Sequence, residues 1–274
     1  MLSGARVVVR PPHVISVVIP CFNHGEFLLE AVASVTSMGR DDIEVIVVDD
    51  GSTDERTPQE MDKLEAQGIK VIRQENKGLA AARNAAIAAS QAKYIFPLDA
   101  DDRMRSGWID RAIEILDSNP KVGVVYGDTE FFGAKTGRWH PGQFNVEQLL
   151  EYNVLPASAL YRRSVWEPNG GYDEGMLLGF EDWDFWLGAA ERGWEFAYLP
   201  KVFFEYRKAA ESMLTHAERR KSEVEDFIAK KHGPLYRRAW LRHVTECASI
   251  KRTSRRLAVL LLARVKRKYG AFPR

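Results

Sequence analysis

The sequence has few of the residues and patterns that mark several common protein classes. Its 274 residues include two cysteines, Cys21 and Cys247, whose separation fits neither a metal site nor a redox pair. This scarcity excludes a disulfide-stabilised scaffold and favours a reducing compartment. The longest apolar run, at residues 257–263, is far shorter than the roughly 20 residues that cross a bilayer. Residues 1–12 contain no apolar signal-peptide core, so we expect a cytoplasmic protein.

Two glycine-rich phosphate-binding patterns are also missing. The dinucleotide pattern G-x-G-x-x-G does not follow the first predicted strand, and G-x-x-x-x-G-K-[ST] occurs nowhere in the chain. We therefore do not expect a glycine-rich loop to be the main phosphate-binding element. The alternative is a metal ion that binds the phosphate group. The apolar content of 45% excludes a disordered chain, and we find neither internal repeats nor a low-complexity linker.

Charge is nearly balanced overall but unevenly distributed along the chain. The net charge is +1, yet residues 231–274 contain 13 Lys and Arg and a single acid. We expect a main domain at residues 1–230 and a basic helical extension at residues 231–274. The extension could lie peripherally on an anionic membrane surface or pack within the protein. Nucleic-acid binding is not expected, because the segment lacks aromatic interleaving and any recognised motif.

The pattern of apolar residues predicts an α/β fold. Four apolar runs, the first of them rich in β-branched residues, predict strands at residues 14–20, 43–48, 70–73 and 94–98. Helical spacing fills the intervals between these runs. Because the strands are apolar on both faces, we expect a Rossmann-like, mostly parallel central sheet with helices on both faces.

The second half of the chain is less regular after Gly127, which follows a predicted strand at residues 122–126. Further strands are predicted at residues 156–163 and 201–206, with a turn at residues 168–171 between them. A helix is predicted at residues 181–191, and the chain after residue 217 reads as mostly helical. We therefore expect one α/β domain with an irregular second half and a helical C-terminal extension.

Polar residues follow the ends of the predicted strands, where open α/β sheets bind their ligands. Among them, Asp99 and Asp101 are two residues apart, so their side chains share one side of an extended segment. Two carboxylates on one side suit a hard divalent cation, Mg²⁺ or Mn²⁺. The alternative is a solvated turn that leads into a helix capped by Ser106.

Five stretches carry a resemblance to a known family. They are VSVVIPCFNHGEFLLEAVASV, IEVIVVDDGSTD, NKGLAAARNAAI, YIFPLDADD and GFEDWDFWLGAAERGW. In this order and spacing, across residues 15–207, the sequence resembles the family 2 glycosyltransferases, inverting nucleotide-sugar enzymes of GT-A fold. The resemblance implies a donor half at about residues 13–127 and an acceptor half at about residues 128–216. It further implies transfer from a nucleoside diphosphate sugar, usually UDP-linked, to a hydroxyl of a carbohydrate or lipid-linked acceptor during cell-surface polysaccharide or glycolipid assembly.

The resemblance assigns donor and metal residues. For the nucleotide sugar it implies Pro20, Phe22, Asn23, Asp50, Asn76, Gly78, Arg83 and Asp99. Among these, Asp50 is the expected partner of the base, while its neighbour Asp49 could simply cap the turn. Arg83 is an expected phosphate donor, with an ordinary surface arginine as the alternative. Asp101 and Asp99 are the expected ligands of Mn²⁺ or Mg²⁺.

The acceptor half is expected to supply the catalytic base. Glu181 and Asp182 match the acidic pair of the family, in which the aspartate deprotonates the acceptor hydroxyl. We expect the helix dipole to keep Asp182 ionised at neutral pH, although acids are common in any first helical turn. Trp183 could stack on an acceptor sugar or simply pack in the core.

One position departs from the family pattern, because Ala209 occupies the place where many members have a histidine. His216 could replace that histidine as a metal ligand, or be a surface residue. Two other functions stay open on the sequence alone. A sugar-phosphate nucleotidyltransferase has a related sheet, but it has a glycine-rich loop where this chain has Cys21 to Gly25. A non-catalytic carbohydrate-binding protein would not need all four aspartates, Asp50, Asp99, Asp101 and Asp182.

Overall fold

The computed structural model describes residues 13–177, 179–209, 220–239 and 241. The chain divides into two compact units between residues 221 and 222. The sequence-based boundary near residue 230 stays a prediction. Among the described residues, none of the helices has the length and apolar character that crossing a bilayer requires. Most of the basic extension, including all of residues 242–274, lies outside the described ranges.

The N-terminal part of the first unit alternates strands and helices, as the apolar pattern predicts. Its strands are β1 (Ile15–Cys21), β2 (Ile43–Asp50), β3 (Lys70–Gln74), β4 (Tyr94–Pro97) and the short β5 (Arg103–Met104). Its helices are α1 (Gly25–Thr36), α2 (Arg56–Ala66), α3 (Leu79–Ala88) and α4 (Ile109–Ser118). Every residue of β1 and β4 is buried, which confirms that the strands are covered on both faces.

The remaining part of the first unit is less regular. Its strands are β6 (Val122–Gly133), β7 (Gly137–Trp139), β8 (Leu160–Arg162) and β9 (Glu195–Lys208). Its helices are α5 (Val146–Leu149), α6 (Arg163–Asn169) and α7 (Glu181–Glu191). A further helix, α8 (Lys221–Lys231), follows the undescribed residues 210–219.

Three local expectations differ from the structure. The strand predicted at residues 156–163 is confined to β8, and α6 precedes the turn at Gly170, whose φ of 76° ends that helix. The strands β6 and β9 extend beyond their apolar cores because they pair with each other along almost their whole length. Ser106 does not cap α4, whose N-cap is Trp108.

The strands form one mostly parallel sheet in the order β3-β2-β1-β4-β8-β6-β9-β5, with β7 paired to β6. The pairs β3–β2, β2–β1 and β1–β4 are parallel, and so is β6–β9. Only β8 separates these two blocks, and it is antiparallel to both β4 and β6. Both parallel blocks therefore run in the same direction, and their carboxyl ends share one edge of the sheet.

Two consecutive arginines, at the end of the antiparallel strand β8, form hydrogen bonds to neighbouring backbone carbonyls. Arg162 donates to the carbonyls of Leu116, in the last turn of α4, and of Val122. Arg163 donates to the carbonyl of Ile87, in the last turn of α3. Cations at helix C-termini satisfy carbonyls that lack intrahelical partners, so each arginine stabilises one helix end.

Candidate active site

A cavity of about 1040 Å³ lies at the carboxyl edge of the sheet. It is lined from both parts of the first unit, so it collects residues that are far apart in sequence. The predicted site residues in its lining are Pro20, Phe22, Asp50, Asn76, Gly78, Arg83, Asp99, Asp101, Glu181, Asp182 and Trp183. Ala209, at the position where the family has a histidine, lines it too. His216 lies outside the described residues.

Asn23 is the predicted donor residue that does not line the cavity. Its side-chain oxygen accepts hydrogen bonds from the backbone N–H groups of Thr53 (2.7 Å) and Asp54 (3.1 Å). Its own backbone N–H donates to the Ser52 hydroxyl at 3.0 Å. With φ at 57°, it adopts a left-handed conformation that asparagine tolerates. Asn23 therefore joins the loop after β1 to the loop after β2.

Asp50 shapes the loop beside the cavity. Its Oδ1 accepts hydrogen bonds from the Gln74 amide (2.7 Å) and the Lys77 backbone N–H (3.0 Å). Its Oδ2 accepts from the Gly78 backbone N–H at 2.8 Å. Gly78 has φ of 89°, a conformation that favours glycine, and it directly precedes α3. Asp50 thus holds the segment from Asn76 to Gly78 in a defined shape.

The neighbouring carboxylate has a different role. Asp49 Oδ1 accepts a hydrogen bond from the Ser52 backbone N–H at 2.9 Å. Asp49 is not part of the cavity lining. The interpretation of Asp49 as a turn cap is therefore confirmed.

Three carboxylates are concentrated after β4. Burial, together with the negative charge of Asp99, raises the pKa of Asp101. Asp102 is buried, and its pKa lies well above the usual range because of burial and its two acidic neighbours. Its Oδ1 accepts from the Arg207 backbone N–H at 2.8 Å, whereas its Oδ2 has no partner in the described part of the chain.

This acidic cluster fits a divalent cation. Crowded carboxylate oxygens, one of them buried without a hydrogen bond, provide the hard ligands that Mg²⁺ and Mn²⁺ prefer. The described ranges contain no group of three or more acidic, His or Cys side chains arranged to hold a metal ion by themselves. An ion bound here therefore needs water or substrate oxygens to complete its coordination.

Arg83 connects the acidic cluster with the acidic pair of α7. Its guanidinium donates to Asp99 Oδ1 at 2.7 Å and to Glu181 Oε1. It also lies 5.5 Å from the centre of the Tyr172 ring. Burial opposes its charge, but the two carboxylates outweigh this effect and raise its pKa. With a side chain only 1% exposed, Arg83 is not an ordinary surface arginine.

Asp182 is a half-buried carboxylate at the start of α7. Its Oδ2 accepts from the Asn153 amide, and its Oδ1 from the Trp183 backbone N–H, both at 2.8 Å. Burial raises the pKa of Asp182 to about 7, and the negative charge of Glu181 acts in the same direction. The expectation of a fully ionised group at neutral pH is therefore wrong, because desolvation outweighs the helix dipole.

Trp183 lies in the wall of the cavity. Its ring is buried and 1% exposed, and its indole N–H donates to the Leu149 carbonyl at 2.6 Å. This placement fits the packing interpretation better than stacking on a sugar. The exposed aromatic rings in the cavity lining are Tyr152, at 45%, and Phe22, at 43%.

Sequence reasoning missed three residues of the site. Tyr152 and Asn153 lie in an irregular segment after α5, where nothing in the local pattern marks a function. Arg207 lies between the rings of Phe27 and Phe132, 4.3 Å from each centre. Its Nε donates to the Asp101 carbonyl at 2.9 Å, which fixes the acidic segment. Arg207 lies two residues before Ala209, the position that departs from the family pattern. Its place beside that position was the available sequence signal.

Comparison with known proteins gives a consistent result. The family model described as "Glycosyl transferase family 2" matches residues 16–183. The glycosyltransferase GlyG of Streptococcus pneumoniae is 33% identical over 155 residues, which cover 53% of this chain and 50% of that protein. The uncharacterized glycosyltransferase EpsJ of Bacillus subtilis is 34% identical over 219 residues, covering 73% and 62% respectively. The chain thus spans between half and two thirds of the length of these relatives.

A solved structure shows the same fold. Staphylococcus aureus TarS (residues 1–349), in complex with UDP-GlcNAc, superimposes with a TM-score of 0.62 at 20% identity. The match covers 73% of this chain and 60% of that chain. The predicted fold class, a GT-A type α/β fold with a mostly parallel sheet, is confirmed.

Proposed function

The chain belongs to glycosyl transferase family 2, and from this premise we propose that it moves a sugar from a nucleoside diphosphate to an acceptor hydroxyl with inversion. The observation that carries the proposal is that one cavity is lined both by the acidic cluster after β4 and by the half-buried Asp182 of α7. An inverting displacement needs these two chemistries at one reaction centre. The leaving diphosphate needs neutralisation, and the attacking hydroxyl needs a base on the opposite side.

The donor is a UDP-sugar. TarS, which has the same fold, has been solved with UDP-GlcNAc. In this chain the loop that Asp50 shapes, with Asn76 and Gly78, lines the donor end of the cavity beside Pro20 and the exposed ring of Phe22. Such a ring can stack on a nucleobase. Asn23 acts indirectly, since it holds the two loops together.

Asp99 and Asp101 would hold Mn²⁺ or Mg²⁺. An ion bound there would supply positive charge against the negative charge that grows on the leaving diphosphate. Arg207 keeps the acidic segment in place through the Asp101 carbonyl and the Asp102 carboxylate. His216 as an additional ligand stays a prediction.

Asp182 is the general base. It takes the proton from the acceptor hydroxyl while that oxygen bonds to the anomeric carbon and the bond to the diphosphate breaks. A pKa of about 7 suits a base that must accept a proton near neutral pH. Glu181 contributes to the catalytic site by pairing with Arg83, which neutralises one of the two adjacent acids.

The acceptor is a carbohydrate or a lipid-linked carbohydrate, in cell-surface polysaccharide or glycolipid assembly, as the family resemblance implies. We assign Tyr152, whose ring is exposed, to acceptor binding, whereas the buried Trp183 contributes to the wall of the cavity. Aromatic rings provide apolar faces for sugar C–H groups. We also propose a cytoplasmic location and contact of the basic extension with an anionic membrane surface.

The test is release of UDP from UDP-sugars in the presence of Mn²⁺. We expect release that stops when the metal is chelated, and a fall in transfer of about 10²–10⁴-fold in Asp182→Asn with unchanged UDP binding. Asp110→Asn is the matched control, since Asp110 lies in the first turn of α4 and its side chain is 84% exposed. Transfer by Asp182→Asn at the parent rate would exclude Asp182 as the base. Formation of UTP from UDP-sugar and pyrophosphate would indicate a nucleotidyltransferase, and binding without release a carbohydrate-binding protein.

A further inference from the structure

A neutral amide contacts the carboxylate of Asp182. The Asn153 Nδ2 donates to Asp182 Oδ2 at 2.8 Å, across 29 residues of sequence. The other carboxylate oxygen accepts from the Trp183 backbone N–H. Within the described residues each oxygen thus has one donor and keeps a further lone-pair direction, and the carboxylate is held from two sides.

The segment that carries Asn153 is itself well anchored. Asn145 caps α5 by accepting from the backbone N–H groups of Glu147 and Gln148. The Leu149 carbonyl accepts from the Trp183 indole, which attaches the end of α5 to α7. Asn153 Oδ1 accepts from the Leu155 backbone N–H at 3.3 Å. This bond occupies the oxygen of the amide and directs its nitrogen toward Asp182.

The charges near Asp182 act in opposite directions on its ionisation, so a direct hydrogen-bond donor can affect the balance between them. Glu181 precedes it in α7 and disfavours a second negative charge. Arg83, on α3, favours the charge, but its guanidinium is already bound to Asp99 and Glu181. The negative charge of Asp182 contributes to the raised pKa values of Tyr172 and Tyr206, so these two tyrosines also lie within its electrostatic range. In the described part of the chain, Asn153 is the side chain that donates directly to Asp182.

We propose that Asn153 is a positioning residue that orients the Asp182 carboxylate and stabilises its ionised form for reaction with the acceptor hydroxyl. The proposal rests on the proposed function, in which Asp182 is the base. A hydrogen bond donated to a carboxylate favours its ionised form. Burial and Glu181 both favour the protonated form of Asp182, and without Asn153 one of the groups that counteract them is lost. A variant without the amide should therefore keep its proton to higher pH.

The proposal is tested on the whole chain by two measurements. The first is ¹³C NMR of Asp carboxyl groups as a function of pH, with Asp182→Asn identifying the signal of Asp182. We expect the Asp182 midpoint to rise by about one pH unit in Asn153→Ala. The second is the pH profile of UDP release from UDP-GlcNAc with Mn²⁺, whose acidic limb should move upward by the same amount. At pH 7 the ionised fraction, and with it the rate, should fall about fivefold, with most of the rate restored at pH 9.

Asn145→Ala is the matched control. It removes a cap from the same segment but no contact of Asp182, so it should lower stability and leave both pH midpoints unchanged. If Asn153→Ala does not fold, the isosteric Asn153→Asp replaces the donor with a second carboxylate, and the midpoint should rise further. Unchanged midpoints in the Asn153 variants, or an equal rise in Asn145→Ala, would overturn the proposal. Absence of UDP release from the parent protein would instead contradict the proposed function, because the NMR midpoints do not depend on turnover.

Discussion

The two parts of the first unit position their functional groups in different ways. In residues 13–127 the groups follow directly after β1, β2, β3 and β4, so the parallel sheet itself brings them to one edge. In residues 128–209 the corresponding groups lie on α7 and on the irregular segment after α5. Hydrogen bonds between distant segments hold them there, such as Asn153 to Asp182 and Trp183 to Leu149. Strand geometry brings the groups of the proposed donor end together, and side chains such as Asp50 then shape the loops there. At the proposed acceptor end, side-chain contacts also bring the groups together.

Arg83 connects the two parts, so we expect its substitution to have the largest effect of the variants considered. We expect Arg83→Met to lower the free energy of unfolding by about 3–5 kcal/mol, because Asp99 and Glu181 lose a buried partner. Arg73→Met is the control, since Arg73 also pairs with two acids, Asp62 and Glu65, but at the surface. Its effect should stay below about 1 kcal/mol. Urea denaturation measures the free energy of unfolding of both variants. Equal decreases would show that the buried ion pairs of Arg83 stabilise the fold no more than the surface pairs of Arg73.

The donor end can be weakened separately through Asp50. Asp50→Ala leaves the backbone N–H groups of Lys77 and Gly78 without their acceptor, so the loop should lose its shape. We expect UDP to bind about tenfold more weakly, as measured by calorimetry in the presence of Mn²⁺. Asp49→Ala removes a turn cap outside the cavity and should change UDP binding less than about threefold. The interpretation fails if the two variants bind UDP equally.

The smallest effect is expected at the acceptor end, from Tyr152. Tyr152→Ala removes an exposed ring from the cavity lining and should raise the KM for an oligosaccharide acceptor about fivefold. UDP binding should not change, and Tyr152→Phe should keep most of the acceptor affinity. A parallel loss of UDP affinity would place Tyr152 at the donor end and remove the distinction between the two ends.

The sequence predicted the first four strands and the polar residues at their ends because these signals are local, whereas the donor roles of those residues came from the family resemblance and stay proposals. The strands predicted at residues 14–20, 43–48, 70–73 and 94–98 were found from their apolar runs, and their carboxyl ends do meet at one edge. Asp49 as a turn cap followed from its place after β2. What the pattern could not show is that Asn23 binds the neighbouring loop rather than facing the cavity, since that depends on a contact 30 residues away.

The acceptor end was predicted only in part. The resemblance identified Glu181 and Asp182, and α7 has the predicted bounds. The burial that raises the pKa of Asp182 to about 7 depends on how the surrounding segments pack against α7. The same packing covers Trp183, for which the sequence left stacking and packing open, and leaves exposed Tyr152, which the sequence did not single out.

By itself, the sequence determined the parallel sheet, the edge where polar groups collect and the identity of the acidic residues, because strand alternation and loop position are encoded locally. The tertiary structure alone decided which charges are paired. Arg83 lies between Asp99 and Glu181, and Asn153 contacts Asp182, only after segments distant in the chain have packed together. Ionisation follows from burial and from the nearest charges, and both are properties of the folded chain.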